Sequence, residues 1–227
     1  MRHFHKRNRC AMTDWSDEEA VIAACEALVC PDVQQSPLTY VLQAFPVSDT
    51  GLLLEFGVFR GRTITQIATR YPDRAVYGFD SFQGLPEDWD RPDLKFPTGT
   101  FGMHGLPTVP ANVTLVPGWF SDTLPSFVEA HASDTVALVH IDCDLYSSTT
   151  TVLKALAPMF IDGTVVVFDE LFNYPNYHKH EFLALLEFLD ASKFKAQWIG
   201  KHGPLIPRPS RDNGAWDQPA ALVLRSK

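Results

Sequence analysis

The segment Leu52-Leu-Leu-Glu-Phe-Gly-Val-Phe-Arg-Gly-Arg-Thr63 joins an apolar run to an acid, two glycines and the start of a helical pattern. The apolar run is typical of a buried strand, and residues 63–70 are compatible with a helix. A strand, a tight glycine turn and a helix form the element by which doubly wound α/β sheets hold nucleotide-like ligands. Gly57 and Gly61 would let the backbone approach such a ligand more closely than residues with a Cβ.

The glycine spacing by itself leaves the ligand open. A dinucleotide-binding fingerprint has a third glycine between the other two, and Phe59 occupies that position here. The same spacing also fits any tight turn between a strand and a helix. Glu55 at the strand end would repel a pyrophosphate, whereas it would attract an ammonium group or a ribose hydroxyl. The segment therefore favours S-adenosylmethionine over a nicotinamide dinucleotide.

A second acid supports a nucleoside ligand. Residues 75–79 form a predicted strand that ends at Asp80, 19 residues beyond Gly61. An acid about 20 residues after the glycine turn, at the tip of the second strand, is typical of ribose binding. The alternative is that Asp80 caps a surface turn.

The remaining chain predicts a Rossmann-like doubly wound α/β sheet, preceded by helices over 14–30 and 37–45. Strands alternate with helices through the middle of the chain, which favours a mostly parallel sheet. Further strands are predicted at 113–116, 136–141, 164–168, 194–199 and 220–224. We expect a loose basic arm over residues 1–12 and one domain over residues 13–227, with the leading helices in residues 13–50.

Residues 82–110 are rich in Pro, Gly and Asp and show little periodicity. A long segment of this kind inside a compact domain is typical of a lid or substrate loop. Trp89, Phe96, Phe101 and His104 would either line a pocket beneath this lid or pin it to the body of the protein.

The composition excludes several classes of protein. A net charge of −8 over 227 residues argues against nucleic-acid binding, which requires a basic surface. The four cysteines form no C-x-x-C pair, so disulfide and zinc scaffolds are disfavoured. No apolar run is long enough to span a membrane, and no signal-peptide core follows the basic start. These features predict a cytoplasmic protein that binds neither membrane nor nucleic acid.

Acidic residues follow two neighbouring predicted strands. Asp142 and Asp144 come after the strand at 136–141, and Asp169 and Glu170 come after the strand at 164–168. Because the carboxyl ends of parallel strands meet at one edge, these carboxylates are expected to converge and to require a cation. Oxygen ligands suit Mg²⁺, which could hold a substrate hydroxyl and lower its pKa. The alternative is that these acids cap helices or face solvent.

Five ordered blocks carry a resemblance to a known family. They are Glu55-Phe-Gly-Val-Phe-Arg-Gly, Asp80-Ser-Phe-Gln-Gly-Leu-Pro, Gly118-Trp-Phe-Ser-Asp-Thr-Leu-Pro, Ile141-Asp-Cys-Asp-Leu-Tyr-Ser-Ser-Thr and Phe168-Asp-Glu. Together they resemble the macrocin-O-methyltransferase-like class I S-adenosylmethionine-dependent methyltransferases over about residues 38–190. The resemblance implies a seven-stranded sheet whose last strand is antiparallel.

The resemblance also implies where the ligands bind. The cofactor S-adenosylmethionine would contact the first strand–turn–helix, with its ribose on Asp80 and its adenine near the segments that follow the second and third strands. Residues assigned to the cofactor are Glu55, Gly57, Gly61, Thr63, Asp80, Ser81, Phe82, Gly118 and Trp119. Metal-dependent relatives imply Mg²⁺ on Asp142, Asp169 and Glu170.

These patterns predict an O-methyltransferase that acts on a hydroxyl of a small molecule, and they are compatible with a homo-oligomer. Asp142 is a candidate catalytic residue, and His178 and His180 are the preferred candidates for the general base, with Tyr174 and His202 as alternatives. Two other functions stay open, namely an S-adenosylmethionine-binding protein without transferase activity and a nicotinamide-dependent oxidoreductase.

Overall fold

The computed structural model of the protein describes residues 13–210 and 218–227. The predicted arm over residues 1–12 lies outside the described residues. Within these two ranges the strands are β1 (Leu52–Phe56), β2 (Val76–Asp80), β3 (Val113–Pro117), β4 (Val136–Ile141), β5 (Val165–Phe172), β6 (Phe194–Lys201) and β7 (Gln218–Ser226). The α-helices of the same residues are α1 (Glu18–Glu26), α2 (Pro37–Ala44), α3 (Arg62–Arg70), α4 (Phe120–Ala130), α5 (Tyr146–Leu156) and α6 (Glu181–Ala191).

All seven strands form one sheet in the order β3-β2-β1-β4-β5-β7-β6. Strands β1 to β5 pair in parallel, and β7 runs antiparallel to both β5 and β6. The predicted seven-stranded, mostly parallel sheet with an antiparallel last strand is confirmed. Its strand order reverses between β1 and β4, and ligands of open α/β sheets bind at the carboxyl ends of the strands beside such a reversal.

Helices cover both faces of the sheet because each contributes an apolar stripe. Helices α1, α4, α5 and α6 pack on one face, and α2 and α3 pack on the other. Strand β4 is buried along its whole length between the two layers, which explains why all its residues except His140 are apolar.

The bounds of the first helix differ from the prediction. Helix α1 is shorter than residues 14–30, and its cap is Asp17, whose side chain accepts the backbone N–H of Glu19. Helix α5 begins at Tyr146, because Asp144 takes a left-handed conformation (φ 63°) that ends the connection from β4 and lets the helix begin at once.

Strand β5 is longer than predicted. It continues to Phe172, so Asp169 and Glu170 lie within the strand and not after its end. The pairing of β5 with β7 is irregular between Phe168 and Phe172. Bulges of this kind bend a strand and re-aim its side chains, and here the irregular segment carries the two acids.

The predicted lid over residues 82–110 is a long loop folded on itself. Its backbone makes a bridge between Trp89 and Phe96, and Leu85 exchanges hydrogen bonds with Gly99 and Thr100, each at 2.9 Å. Movement of this loop as a lid stays a prediction.

Among the described residues, no helix has the length and apolar character needed to cross a membrane.

Candidate active site

A cavity of about 460 Å³ opens at the carboxyl ends of strands β1 to β5. Seven of the predicted site residues line it, namely Gly57, Asp80, Ser81, Gly118, Trp119, Asp142 and Glu170. Seven others do not line it, namely Glu55, Gly61, Thr63, Phe82, Asp169, His178 and His180. The loop over residues 82–110 adds an aromatic wall that consists of Trp89, Phe96 and Phe101.

Asp80 joins the loops that follow β1 and β2. Its Oδ2 accepts the backbone N–H groups of Val58 (2.9 Å) and Phe59 (2.7 Å), and its Oδ1 accepts the backbone N–H of Phe82 (2.7 Å). Each carboxylate oxygen has two lone-pair directions, so Oδ1 keeps capacity for one more donor. Asp80 therefore shapes this end of the cavity and can still accept a ligand hydroxyl.

A Cβ added at either of the two glycines after β1 would contact other atoms of the protein. Gly57 has φ +90°, and a Cβ there would lie 1.6 Å from the backbone oxygen of Asp142. Gly61 has φ +77°, and a Cβ there would meet Val109 at 3.3 Å and Pro107 at 3.5 Å. Gly57 is thus required because the loops after β1 and β4 touch, which the glycine spacing alone does not reveal.

Two phenylalanines in left-handed conformations stand at the cavity. Phe59 (φ 45°) and Phe101 (φ 68°) both line it, and their ring centroids are 5.7 Å apart in an edge-on arrangement. Bulky side chains rarely adopt such angles, and backbone strain of this kind is concentrated at functional sites. No local sequence pattern marks a non-glycine residue for positive φ, so this role of Phe59 was missed.

Glu55 does not line the cavity and faces a histidine on the neighbouring strand. Its Oε1 is 2.9 Å from Nδ1 of His140, and both side chains are fully buried. Burial alone would lower the pKa of His140, but the hydrogen bond and the charge of Glu55 outweigh it and raise that pKa to about 9. The structure therefore pairs Glu55 with His140, and its contact with the cofactor stays a prediction.

The acidic residues form two groups that share Asp142. His140, Asp142 and Asp169 form the first, and Asp142, Asp144 and Glu170 form the second; in each group the ligand atoms lie within 4.8 Å of one another. The predicted trio of Asp142, Asp169 and Glu170 is thus divided between them.

These acids are held in an environment that disfavours their charges. Burial, with neighbouring carboxylates, raises the pKa of Asp142 and of Glu170 well above the usual range. A bound cation would remove this penalty, so the chemistry of both groups fits a divalent ion.

His180, a predicted general base, lies outside the cavity lining. Its Nε2 is 3.1 Å from the backbone oxygen of Asp90, its ring stacks on Tyr174, and its edge faces Trp89. Burial lowers the pKa of His180. The neutral imidazole can donate its Nε2 proton to Asp90, which anchors the residue next to the cavity-lining Trp89.

The other three candidates for the base also have structural partners. His178 lies 3.2 Å from Glu18 of α1, and the ring of Tyr174 is fully buried. His202 contacts the backbone oxygen of Val33 at 2.8 Å. None of these three residues lines the cavity.

A family model described as a methyltransferase domain matches residues 54–171, from β1 into β5. The chain belongs to this methyltransferase family. The match covers the loops that supply Gly57, Asp80, Gly118 and Asp142 to the cavity.

Two relatives of this methyltransferase come from Streptomyces. The chain is 32% identical over 143 residues to 8-demethyl-8-(2,3-dimethoxy-alpha-L-rhamnosyl)-tetracenomycin-C 4'-O-methyltransferase of Streptomyces olivaceus. This match covers 53% of this chain and 52% of that protein. It is also 32% identical over 151 residues to demethyldecarbamoylnovobiocin O-methyltransferase of Streptomyces niveus, over 55% of this chain and 54% of that protein. The chain thus spans about half the length of the curated relatives it matches.

A solved structure extends the likeness to most of the methyltransferase chain. The crystal structure of the calicheamicin methyltransferase CalS11 superposes with a TM-score of 0.57 at 25% identity, covering 90% of this chain and 79% of that chain. The likeness therefore includes the leading helices and the antiparallel strands, beyond the segment that the family model matches.

Proposed function

We propose that this methyltransferase transfers a methyl group from S-adenosylmethionine to a hydroxyl of a small molecule. The observation that carries the proposal is one continuous cavity in which Asp80 lines one part and Asp142, Asp144 and Glu170 line another. A nucleoside cofactor and a hydroxylated acceptor would then meet at Asp142. Family membership argues against the nicotinamide-dependent oxidoreductase.

The residues after β1, β2 and β3 fit the cofactor. Asp80 retains an acceptor position for a ribose hydroxyl, and Trp119 and Phe120 offer aromatic surface next to it for a purine. When bound, S-adenosylmethionine supplies an electrophilic methyl group on a sulfonium.

Other residues of the lining suit an acceptor with both apolar and hydroxylated parts. Trp89, Phe96 and Phe101 present rings, and Ser147, Ser148 and Thr151 of α5 present hydroxyl groups. Rings of this kind bind apolar or stacked surface, while hydroxyl groups orient polar substituents.

Asp142 stands where the acceptor hydroxyl would lie. Its carboxylate can accept the hydroxyl proton and hold the oxygen in line with the methyl donor, which are contributions of general-base catalysis and of positioning. A divalent ion, which Asp142 would hold together with either acidic group, would supply positive charge that lowers the pKa of a nearby hydroxyl.

Titration calorimetry with S-adenosylhomocysteine tests the cofactor. We expect Asp80→Ala to weaken binding by about 1–3 kcal/mol, because a hydrogen bond to a charged acceptor is lost and the loop loses three anchors. The matched control is Asp88→Ala, since Asp88 also accepts a backbone N–H, that of Thr98, but does not line the cavity. An unchanged dissociation constant in the Asp80 variant would remove the ribose assignment.

A screen of hydroxylated compounds as methyl acceptors tests the transferase activity itself. If the parent protein binds S-adenosylhomocysteine but methylates no compound in the screen, the result would favour a cofactor-binding protein without transferase activity.

The contact between His180 and Asp90 predicts an effect on the acceptor side. We expect His180→Ala to raise KM for the acceptor roughly 2- to 10-fold, because one hydrogen bond that positions the loop around Trp89 is lost. The value of kcat and the affinity for S-adenosylhomocysteine should stay near those of the parent protein. His202→Ala is the control, since His202 also contacts a backbone oxygen, but that oxygen belongs to Val33 and not to the loop that carries Trp89. A kcat that falls while KM is constant would instead restore His180 as a base.

A further inference from the structure

Arg91 lies in the loop over residues 82–110, and its side chain is buried although it carries a charge. Only 2% of that side chain is exposed, and Arg91 does not line the cavity. Arginine is almost never buried to this extent unless its charge is paired. Asp93 supplies a pairing, since its two carboxylate oxygens accept hydrogen bonds from Nε (3.2 Å) and Nη2 (2.8 Å) of Arg91. This fork of two hydrogen bonds fixes the plane of the guanidinium as well as its position.

The guanidinium of Arg91 packs against aromatic rings. Its carbon is 4.7 Å from the ring centroid of Trp89 and 4.6 Å from that of Tyr174, and it is 5.8 Å from that of Phe96. A cation within about 6 Å of a ring centroid is attracted by the ring, most strongly where water is excluded. Trp89 and Phe96 belong to the aromatic wall of the cavity, whereas Tyr174 lies in the segment between β5 and α6. One buried guanidinium therefore joins the aromatic wall to the body of the protein.

The backbone of the loop fixes the spacing of the wall but not the orientation of its rings. The N–H of Trp89 donates to the backbone oxygen of Phe96 at 2.9 Å, and the N–H of Arg91 donates to that of Trp89 at 2.8 Å. These bonds leave the side-chain torsions of Trp89 to be set by what packs against its ring. The guanidinium of Arg91 and the rings of Tyr174 and His180 do so.

We propose that Arg91 is a specificity-determining positioning residue, which orients the rings of Trp89 and Phe96 toward the acceptor without contacting the acceptor itself. The inference deepens the proposed function, because the wall that Arg91 orients is the part of the lining assigned there to the acceptor. The role requires a planar guanidinium, which forms a fork with Asp93 and stacks on rings at the same time. The ammonium group of lysine carries the same charge but is a compact point charge without this planar fork, so lysine does not replace arginine at a stacked site.

The experiment labels the protein with fluorotryptophan and follows the fluorine resonance of Trp89. The variant Trp89→Phe identifies that resonance among those of the five tryptophans. We expect Arg91→Lys to shift and broaden the Trp89 resonance, because the ring loses the planar cation that packs against it. The resonance of Trp198, in β6, should stay unchanged. Asp93→Asn should move the Trp89 resonance in the same direction by a smaller amount, because the guanidinium loses a charged partner.

Kinetics on the best acceptor from the screen of hydroxylated compounds test the consequence for the acceptor. Arg91→Lys should raise KM for that compound roughly 3- to 30-fold, the range for losing a desolvated cation–π contact. The value of kcat and the affinity for S-adenosylhomocysteine should stay near those of the parent protein, because the change is confined to the aromatic wall. The matched control is Arg74→Lys. Arg74 also stacks on a ring, that of Tyr71 at 5.3 Å, but Tyr71 does not line the cavity.

The outcomes separate the alternatives. An unchanged Trp89 resonance in Arg91→Lys would overturn the proposal, because the ring would then be held without the guanidinium. A fall in kcat at constant KM would also overturn it and would assign Arg91 to the methyl-transfer step. If circular dichroism shows that Arg91→Lys does not fold, Asp93→Asn decides in its place, and an unchanged resonance there has the same meaning. If the Trp89 resonance moves but the parent protein methylates no compound, the proposed function falls and the positioning of Trp89 by Arg91 stands.

Discussion

Replacing Asp142 by asparagine is expected to lower kcat by about 10²–10⁴-fold, the range for losing a general base. Asparagine has nearly the shape of aspartate but neither its charge nor its basicity, so the acceptor hydroxyl keeps its proton. Asp142 belongs to both acidic groups, and its loss would also weaken the hold of either group on a cation. Steady-state kinetics with a saturating methyl donor measures the effect.

Binding of S-adenosylhomocysteine to the Asp142→Asn variant should stay close to that of the parent protein, because no contact predicted for the cofactor depends on the charge of Asp142. Asp73→Asn, at an exposed turn between α3 and β2, controls for the loss of one negative charge. Full activity of the Asp142 variant would remove this residue from the mechanism.

Replacing Gly57 by alanine is expected to cost roughly 3–5 kcal/mol of the free energy of unfolding, a magnitude reserved for severe clashes or strain. The new Cβ would stand 1.6 Å from the backbone oxygen of Asp142, so the loops after β1 and β4 would have to separate. Backbone cannot move aside as a flexible side chain can. Urea denaturation followed by circular dichroism measures the change.

Gly163→Ala is the matched control for this clash. Gly163 has φ +98°, close to the +90° of Gly57, but a Cβ there would meet no atom within 4 Å. It should therefore cost only the conformational strain of about 1–2 kcal/mol. Equal losses in the two variants would show that φ, and not the contact with Asp142, explains the glycine.

The sequence was sufficient where structure depends on local pattern. Strand β4 runs from Val136 to Ile141 as predicted, since an apolar run broken only by His140 and buried on both faces has clear ends. The extension of β5 past Phe168 was not predictable, because it depends on pairing with β7, which lies about 50 residues later in the chain. The position of Asp169 and Glu170 within the strand followed from that distant pairing.

In the candidate site, too, the sequence predicted the features that depend on local pattern and missed those that depend on distant contacts. The spacing between Gly61 and Asp80 predicted an acid at the cavity, and Asp80 lies there. By contrast, sequence does not determine whether a histidine in a loop faces a cavity or a neighbouring backbone, as His180 faces Asp90. His140 was missed because it lies within an apolar strand, and only the register with Glu55 reveals its partner.

Two of the loop regions around the cavity are anchored to different parts of the chain. Asp80 holds the loops after β1 and β2 together, whereas Asp90 is held by Asn176, Lys179 and His180 from the segment before α6. A change in the hydrogen bonds of Asp90 need not alter the hydrogen bonds of Asp80. The loop around Asp90 can thus be exchanged as a unit. Replacing it and residues 176–180 with the corresponding segments of a relative should alter acceptor preference, while the affinity for the methyl donor should stay that of the parent protein.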